Sequence, residues 1–339
     1  MKIRALLDGY ARLLVFGGGT LFLSSVLLDR NWLANPFAAL LLLAGVVGLR
    51  WGQVSLTKYA YLTQIGVPVL VGAVTLGPGA VTLALGAGVL ATDLFLVRKS
   101  GWASGINAGR EVIAFLSAFG LYSAVLDISG ATRMSLDYLP AAFTLIAGYF
   151  FTSRSLFYFT LLFRDKLESD ERLVILRYEL LTYLLTVTAS IVLVASIQAL
   201  STGGWLTVIM VLGVIGLLTK RILEDAIGAE ELNKVHVREK VIAGNLSLQD
   251  SFAEMERLAH RLLDWGDMRV YRTGTEGPEL IYRGTYGRDD RDEAIPELHE
   301  LRTSVLRDGE PLIIPDAARD PRVRTVSPKS RSILIAPLT

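Results

Sequence analysis

The chain has 339 residues, 52% of them hydrophobic, with 34 Lys+Arg against 33 Asp+Glu and a net charge of +1. That balance, with no basic face or recognition motif, argues against a nucleic-acid partner. Cysteine is absent, which excludes disulfides, thiolate metal sites, a cysteine nucleophile and thioether-linked chromophores. The mean hydropathy of +0.44 averages two unlike parts: sparse charge and recurring apolar runs to about Arg221, dense charge from Glu224 onward.

A membrane-crossing helix needs about 20 mostly apolar residues. The first candidate, Tyr10–Leu28, follows Lys2 and Arg4 and so has the look of a secretory signal. No small-x-small cleavage site follows it and more spans come after it, so it reads as the first membrane helix. Seven further candidates are Trp32–Leu49, Tyr59–Leu76, Ala80–Val97, Val112–Leu126, Leu139–Phe163, Leu180–Leu200 and Trp205–Leu218, the fifth and eighth being short. With eight spans, one set of loops holds Lys2, Arg4, Arg12, Arg50, Lys58, Arg98, Lys99, Arg110, Arg164, Lys166, Arg172, Arg177, Lys220 and Arg221. The opposite set holds only Arg30 and Arg133. Because Lys and Arg favour the cytoplasmic side, this predicts a multi-pass protein of the cytoplasmic membrane with both termini in the cytoplasm. The turns Asp29-Arg30-Asn31, Gly77-Pro78-Gly79 and Ser201-Thr202-Gly203-Gly204 predict tight antiparallel hairpins, and Gly17, Gly18, Gly19, Gly86 and Gly88 read as helix-packing positions.

Charged residues inside such spans are costly unless paired or turned toward water. Asp93 lies in the fourth span and Arg154 near the middle of the sixth, with Gln64 in the third. Asn107, Arg110 and Glu111 sit at the mouth of the fifth, and Glu179 at the mouth of the seventh. Two readings of the candidate site residues Asp93 and Arg154 stand. In one they pair inside the bundle and line a ligand or gating site. In the other Asp93 lies near the interface beside Arg98 and Lys99, and Arg154 snorkels toward headgroups.

The run GPGAVTLALGAGVLATDLFLVRKSGWASGINAGREVIAFLSAFGLYSAVL, followed by YFFTSRSLFYFTLLFRDKL, resembles the MASE-type multi-helix sensor domains of bacterial signalling proteins, over about Leu76 to Leu200. The resemblance implies a bundle that feeds a cytoplasmic cyclic-dinucleotide enzyme or a kinase.

After residue 221, Leu218, Ile222, Ile227, Leu232, Val235 and Ile242 form an imperfect apolar stripe through residues 222–245. This predicts a helix leaving the membrane, read either as a dimeric coiled coil or as a solvated linker. Residues 246–339 read as a separate α+β module. Ser247 with Asp250 marks a helix start, followed by an apolar face at Phe252, Met255, Leu258, Ala259, Leu262 and Leu263. Met268–Thr273 and Glu279–Thr285 read as a hairpin about the turn GTEGP. Pro296–Asp308 reads as a helix stopped by Gly309, and Pro311–Asp316 and Ser332–Leu338 as two more strands.

Asp308-Gly309-Glu310-Pro311-Leu312-Ile313-Ile314-Pro315-Asp316, then Asp320-Pro321-Arg322, then Arg331-Ser332-Ile333-Leu334-Ile335-Ala336-Pro337-Leu338, resemble a GAF domain in wording, order and gaps. The resemblance implies a cytoplasmic relay or small-ligand module. Two departures limit it. The chain stops at Thr339, before the family's further strands and closing helix. The Asn-Lys-Phe-Asp-Glu type signature of cyclic-GMP-binding members is absent, so that ligand is not implied. An output domain is expected after Thr339.

His236, His260 and His299 fall on separate predicted helices without a metal-ligand spacing, and Asp289, Asp290, Asp292 and Glu293 form an acidic loop interrupted by Arg288 and Arg291. No phosphate loop, Gly-x-Ser-x-Gly, HExxH or paired-carboxylate pattern is present, so no enzyme activity, metal or cofactor is expected. The sequence therefore predicts an α-helical polytopic membrane bundle of about eight spans followed by a partial GAF-like domain, acting in signal input. The partners expected are membrane lipid, a small-molecule ligand and a second copy through the linker helix. The alternative is a transporter or substrate-binding membrane subunit with a cytoplasmic regulatory domain, in which Asp93 and Arg154 mark the substrate path.

Overall fold

A computed structural model describes residues 2–56, 60–130, 136–163, 169–243, 247–262, 267–274, 277–284, 296–317, 319–323 and 332–337. The chain divides into two units, Met1–Ile227 and Gly228–Thr339.

The first unit is an α-helical bundle. Helix α1 (Lys2–Arg12) passes through a π-helical turn (Leu13–Gly17) into α2 (Gly18–Leu28); a short α3 (Asn31–Ala34) leads to α4 (Pro36–Trp51). Then come α5 (Gly66–Thr75), α6 (Pro78–Ala91) with a second π turn (Thr92–Leu96), α7 (Gly101–Ser129), α8 (Leu139–Phe163), α9 (Ser169–Ala199) and α10 (Thr202–Ala243). Among the described residues five stretches are long and apolar enough to cross a membrane: Ala5–Leu28, Pro78–Leu96, Gly101–Ser129, Arg172–Ala199 and Thr202–Glu230. Pro36–Trp51 and Gly66–Thr75 are shorter apolar helices.

The bundle's outer surface is apolar, unlike that of a water-soluble fold, and it encloses several charges. Phe95, Ile128, Phe143, Met210 and Leu217 face outward, while Arg50, Asp93, Glu111, Glu179, Thr186 and Ser190 are buried. In water each exposed apolar side chain forgoes burial free energy of about 25 cal/mol per Å². In hydrocarbon the outward face costs nothing and the charges must be enclosed. The bilayer is the solvent this surface fits. The apolar core, including Val69, Leu85, Phe115 and Leu145, is built from α4 to α8, with α9 packed on α5.

Glycine sets the closest crossings. A Cβ on Gly109 of α7 would lie 1.9 Å from the Leu14 carbonyl oxygen. At the far end of α2, the Asp29 carboxylate accepts from the Gly79 N–H at 2.8 Å and so caps α6. Gly77 there takes φ +95°, a conformation open to glycine.

The expected third span, Tyr59–Leu76, is not a continuous helix. Strands β1 (Val54–Ser55) and β2 (Tyr61–Leu62) pair antiparallel, Val54 opposite Leu62 and Ser55 opposite Tyr61, and helix begins only at Gly66. Val54, Leu56, Ala60 and Leu62 are buried together against Ile175, Leu223 and Ile227. The physical reason is a period of two, which puts alternate residues on one face where a helix would scatter them. Other helices are longer than expected. α7 starts eleven residues before Val112, so Asn107, Arg110 and Glu111 lie well inside it, and Glu179 lies ten residues into α9.

The second unit follows the expected element order. α11 (Leu248–Leu262) opens on a Ser247 cap, whose hydroxyl oxygen accepts from the Asp250 N–H at 3.2 Å. β3 (Arg269–Gly274) and β4 (Gly277–Arg283) are antiparallel, with an irregularity between Val270 and Tyr271. Phe252 of α11 stacks on Tyr282 with ring centroids 5.5 Å apart, and the Tyr282 hydroxyl donates to Glu256. α12 (Pro296–Asp308) ends at Gly309 with φ +70°, in the left-handed region of a helix stop. β5 (Leu312–Ile314) pairs with β6 (Ile333–Ile335) over a small core of Ile314, Ala317 and Val323. The acidic run Asp289–Glu293 lies outside the described residues.

In the Asp-Pro-Arg loop the Asp320 carboxylate accepts from the Arg322 backbone N–H at 2.9 Å and from its guanidinium at 2.6 and 2.9 Å. These bonds hold the Asp320 carboxyl down at about 2. A depressed carboxyl contributes stability above its ordinary pKa near 4 and loses it as pH falls through the folded value. The Asp320 carboxyl carbon is therefore expected to titrate near pH 2 by NMR, with the turn at Pro321–Val323 loosening over the same range. A midpoint near 4 would show that the turn leaves Asp320 unperturbed.

Candidate functional site

The buried charges gather in one layer across α4, α6, α7, α8 and α9, floored by the β1–β2 hairpin. The first cluster is centred on Asp93. The last turn of α4 brings Arg50 to it in a two-pronged contact, Nε to Oδ1 and Nη2 to Oδ2, both 3.1 Å, with both side chains fully buried. Asn107 of α7 donates to Oδ2 at 2.6 Å, and the Lys99 ammonium lies 3.4 Å from the same oxygen. The π turn makes this possible. Its wide hydrogen bond runs from the Val97 N–H to the Thr92 carbonyl at 2.9 Å, and the Lys99 N–H returns to the Asp93 carbonyl at 2.8 Å. Arg98 takes φ +58°, which reverses the chain so that Lys99 comes back beside Asp93. Tyr61 of β2 lies under both cations, its ring centroid 4.5 Å from the Arg50 guanidinium carbon and 5.4 Å from Lys99 Nζ.

The second cluster is centred on Glu111 of α7. Its Oε1 accepts from Arg110 Nη2 at 3.0 Å, and its Oε2 accepts from the Tyr149 hydroxyl at 3.1 Å and the Ser153 hydroxyl at 3.3 Å, both on α8. The third joins α8 to α9: Arg154 Nη1 donates to Glu179 Oε1 at 2.7 Å, and Tyr158 donates to Oε2 at 2.8 Å.

Of the two readings, the one that pairs Asp93 with Arg154 is corrected: Asp93, fully buried, takes Arg50 with Lys99 beside it, and the partly exposed Arg154 takes Glu179. Hydropathy alone leaves Arg50 in a loop, whereas α4 carries it inward. It leaves Glu179 at a helix mouth, whereas the longer α9 lifts it to the level of Arg154. Arg50, Tyr61, Tyr149, Ser153 and Tyr158 are the site residues that sequence reasoning passes over. A period-two run ending in Tyr61 and the i,i+4 spacings 149/153 and 154/158 are the signals that point to them.

Two adjoining clefts of about 20 Å³ each flank Arg154. One is lined by Tyr61, Thr63, Glu179, Thr182 and Tyr183, the other by Tyr149, Ser153, Tyr183 and Thr186. Each has room for about one water molecule. The carboxylates of Asp93, Glu111 and Glu179 each accept from a cation and from a further side-chain donor, so the layer is a well-paired polar plate in an apolar bundle. Among the described residues no group of His, Cys, Asp or Glu is arranged to hold a metal.

The hairpin has two roles in this geometry. Tyr61 touches the charge layer, and Val54, Leu56, Ala60 and Leu62 clasp Leu223 and Ile227 of α10. Comparison of the chain with protein-family models, with curated proteins and with solved structures gave no match.

Proposed function

We propose that this chain is a signal-input protein of the cytoplasmic membrane, in which the buried charge layer is the sensing element and α10 carries its state to a cytoplasmic module. One observation supports this reading above the others: the hairpin that contacts Arg50 through Tyr61 also grips Leu223 and Ile227, on the same unbroken helix that continues to Ala243. A displacement in the charge layer then has a packed route to the linker. The two faces of the hairpin make it a lever rather than a passive loop.

In this proposal the bundle crosses eight times with both ends cytoplasmic, on the strength of the Lys and Arg asymmetry. α5 is about 15 Å long, half a bilayer core, and the β1–β2 ladder completes its crossing. Non-helical backbone is tolerated at that depth because it is paired and enclosed by protein. The second unit acts as a GAF-like relay or small-ligand sensor, by resemblance of its motifs and element order. Lipid surrounds the bundle, and a second copy meets it through the linker helix. The water-sized clefts favour a relay over a substrate path.

The reading is tested by amide hydrogen exchange on the full chain in lipid nanodiscs. Tyr61→Leu is expected to speed exchange about tenfold in residues 228–243 and in the second unit. Adding Leu223→Ala, which opens the clasp at a cost of about 2–3 kcal/mol, is expected to silence that remote effect. Exchange altered only inside the bundle by Tyr61→Leu would overturn the relay.

A further inference from the structure

We propose that the turn before α7 binds the phosphate of an anionic phospholipid, and that Lys99 makes this headgroup the ligand of the Asp93 cluster. The proposal rests on the reading of the charge layer as the sensing element and names what it senses. The turn, residues 97–100, joins two stretches that are long and apolar enough to cross a membrane, Pro78–Leu96 and Gly101–Ser129, and so lies at headgroup depth. Its flanks face outward: Phe95 is 77% exposed, and Trp102, in edge contact with Phe16 at 6.4 Å, is 47% exposed. Such side chains suit acyl chain and the glycerol region of a leaflet. Between Phe95 and Trp102 the charged groups are cations. Arg98 is exposed and, among the described residues, takes part in no ion pair. Arg50, Arg98 and Lys99 thus stand against the one carboxylate of Asp93, and the surplus positive charge meets the leaflet. A headgroup with a net negative charge complements it. A zwitterionic headgroup brings a cation of its own, and a soluble phosphate has no chain for the apolar flanks.

Lys99 ties this surface to the layer. Its side chain is 28% open while its ammonium lies 3.4 Å from Asp93 Oδ2, whereas Arg50 and Asp93 are fully enclosed. Drawn toward a phosphate, Lys99 leaves Asp93 held by both Arg50 bonds at 3.1 Å and by Asn107 at 2.6 Å, so no buried charge is stranded. The same movement takes one of two cations away from the Tyr61 ring, which lies 5.4 Å from Lys99 Nζ. The charge of the leaflet is in this way felt at the β1–β2 hairpin.

The site is tested on the full chain with Phe in place of Trp32, Trp205 and Trp265, which keeps Trp51 and Trp102 as reporters. In phosphatidylcholine bilayers, phosphatidylglycerol brominated in its chains is expected to quench this pair with at least ten times the apparent association constant of brominated phosphatidylcholine. Arg98→Gln and Lys99→Gln are each expected to lower that preference about fivefold, the factor for one basic residue at a leaflet surface. Arg30→Gln, exposed at the far end of α2, is the control and is expected to leave it unchanged. Equal quenching by the two lipids, a preference that survives both substitutions, or its abolition by soluble glycerol phosphate would overturn the site. Should the reporter chain not fold, native mass spectrometry of the unsubstituted chain reads the same preference. One retained phosphatidylglycerol is then expected to be lost on Arg98→Gln, and unchanged retention would overturn the site. The link to the cluster is read by amide hydrogen exchange in nanodiscs. Phosphatidylglycerol in place of phosphatidylcholine is expected to speed exchange in the β1–β2 ladder about threefold, the factor for one cation–π contact, and to have no such effect in Lys99→Gln. An unresponsive ladder would overturn the assignment of the headgroup as the cluster's ligand. A response in the ladder that stops short of residues 228–243 would leave this proposal standing and overturn the relay.

Discussion

Replacing Asp93 by leucine is expected to cost the bundle about 3–5 kcal/mol, the range for removing one partner of a buried ion pair. Asp93 and Arg50 are both fully buried, and among the described residues Arg50 Nη1 has no hydrogen-bond partner. Without Asp93 both of the guanidinium's carboxylate bonds are lost, and the Tyr61 ring is left against it. Lys99 suffers less, because it is partly open to solvent and turns outward. The loss is a large share of the 5–15 kcal/mol that holds a typical domain together.

The cost comes from the stranded arginine and not from the missing attraction, and this distinction is measurable. The double replacement Arg50→Met with Asp93→Leu removes both charges and leaves apolar groups of similar size. It is expected to recover most of the loss, to within about 1–2 kcal/mol of the original chain. Unfolding in detergent, followed by helix content, gives both values. A loss below about 1 kcal/mol for Asp93→Leu alone would show that water reaches Arg50 and that the layer is not a closed plate.

How much of this is legible in the sequence follows from the range of each signal. Helix α12 is readable at both ends, since Pro296 opens it and Gly309 stops it within thirteen residues. Likewise α11 is readable from Ser247 and Asp250. The hairpin escapes because its second half, from Tyr59 on, counts toward an apolar span while its first half falls in a loop, although the buried residues Val54, Leu56, Ala60 and Leu62 alternate. Hydropathy averaging erases that period. That Asp93 and Arg154 need a partner or water is readable from the cost of a charge in an apolar run. Their partners are not, because Arg50 to Asp93 is a contact over 43 residues, set by how α4 and α6 lie together. No local pattern encodes that placement. The π turn that aims Asp93 is equally silent, since Thr92–Leu96 has the composition of ordinary helix.

The glycines carry the second large effect. Gly17, Gly18 and Gly19 look alike in the sequence, yet only Gly18 meets another helix: its Cβ would lie 2.4 Å from the Gly109 Cα, while nothing lies within 4 Å of the other two. Gly109→Ala is expected to cost about 3 kcal/mol, the upper end for overpacking. The obstacle at 1.9 Å is the Leu14 backbone carbonyl, which has no rotamer to escape into. Restoring an ordinary contact requires α7 and the first helix to separate by roughly 1.5 Å. α2 resists that shift at its other end, where Asp29 is bonded to Gly79 and a Cβ on Gly79 would lie 2.2 Å from the Asp29 carbonyl oxygen. Gly19→Ala is the control. It adds a methyl group into open space on a helix and is expected to be neutral or to stabilise by up to about 1 kcal/mol. Unfolding midpoints for the two variants, measured side by side, separate a packing contact from mere helix propensity. Equal midpoints would mean that the first helix does not rest on α7 through Gly18 and Gly109.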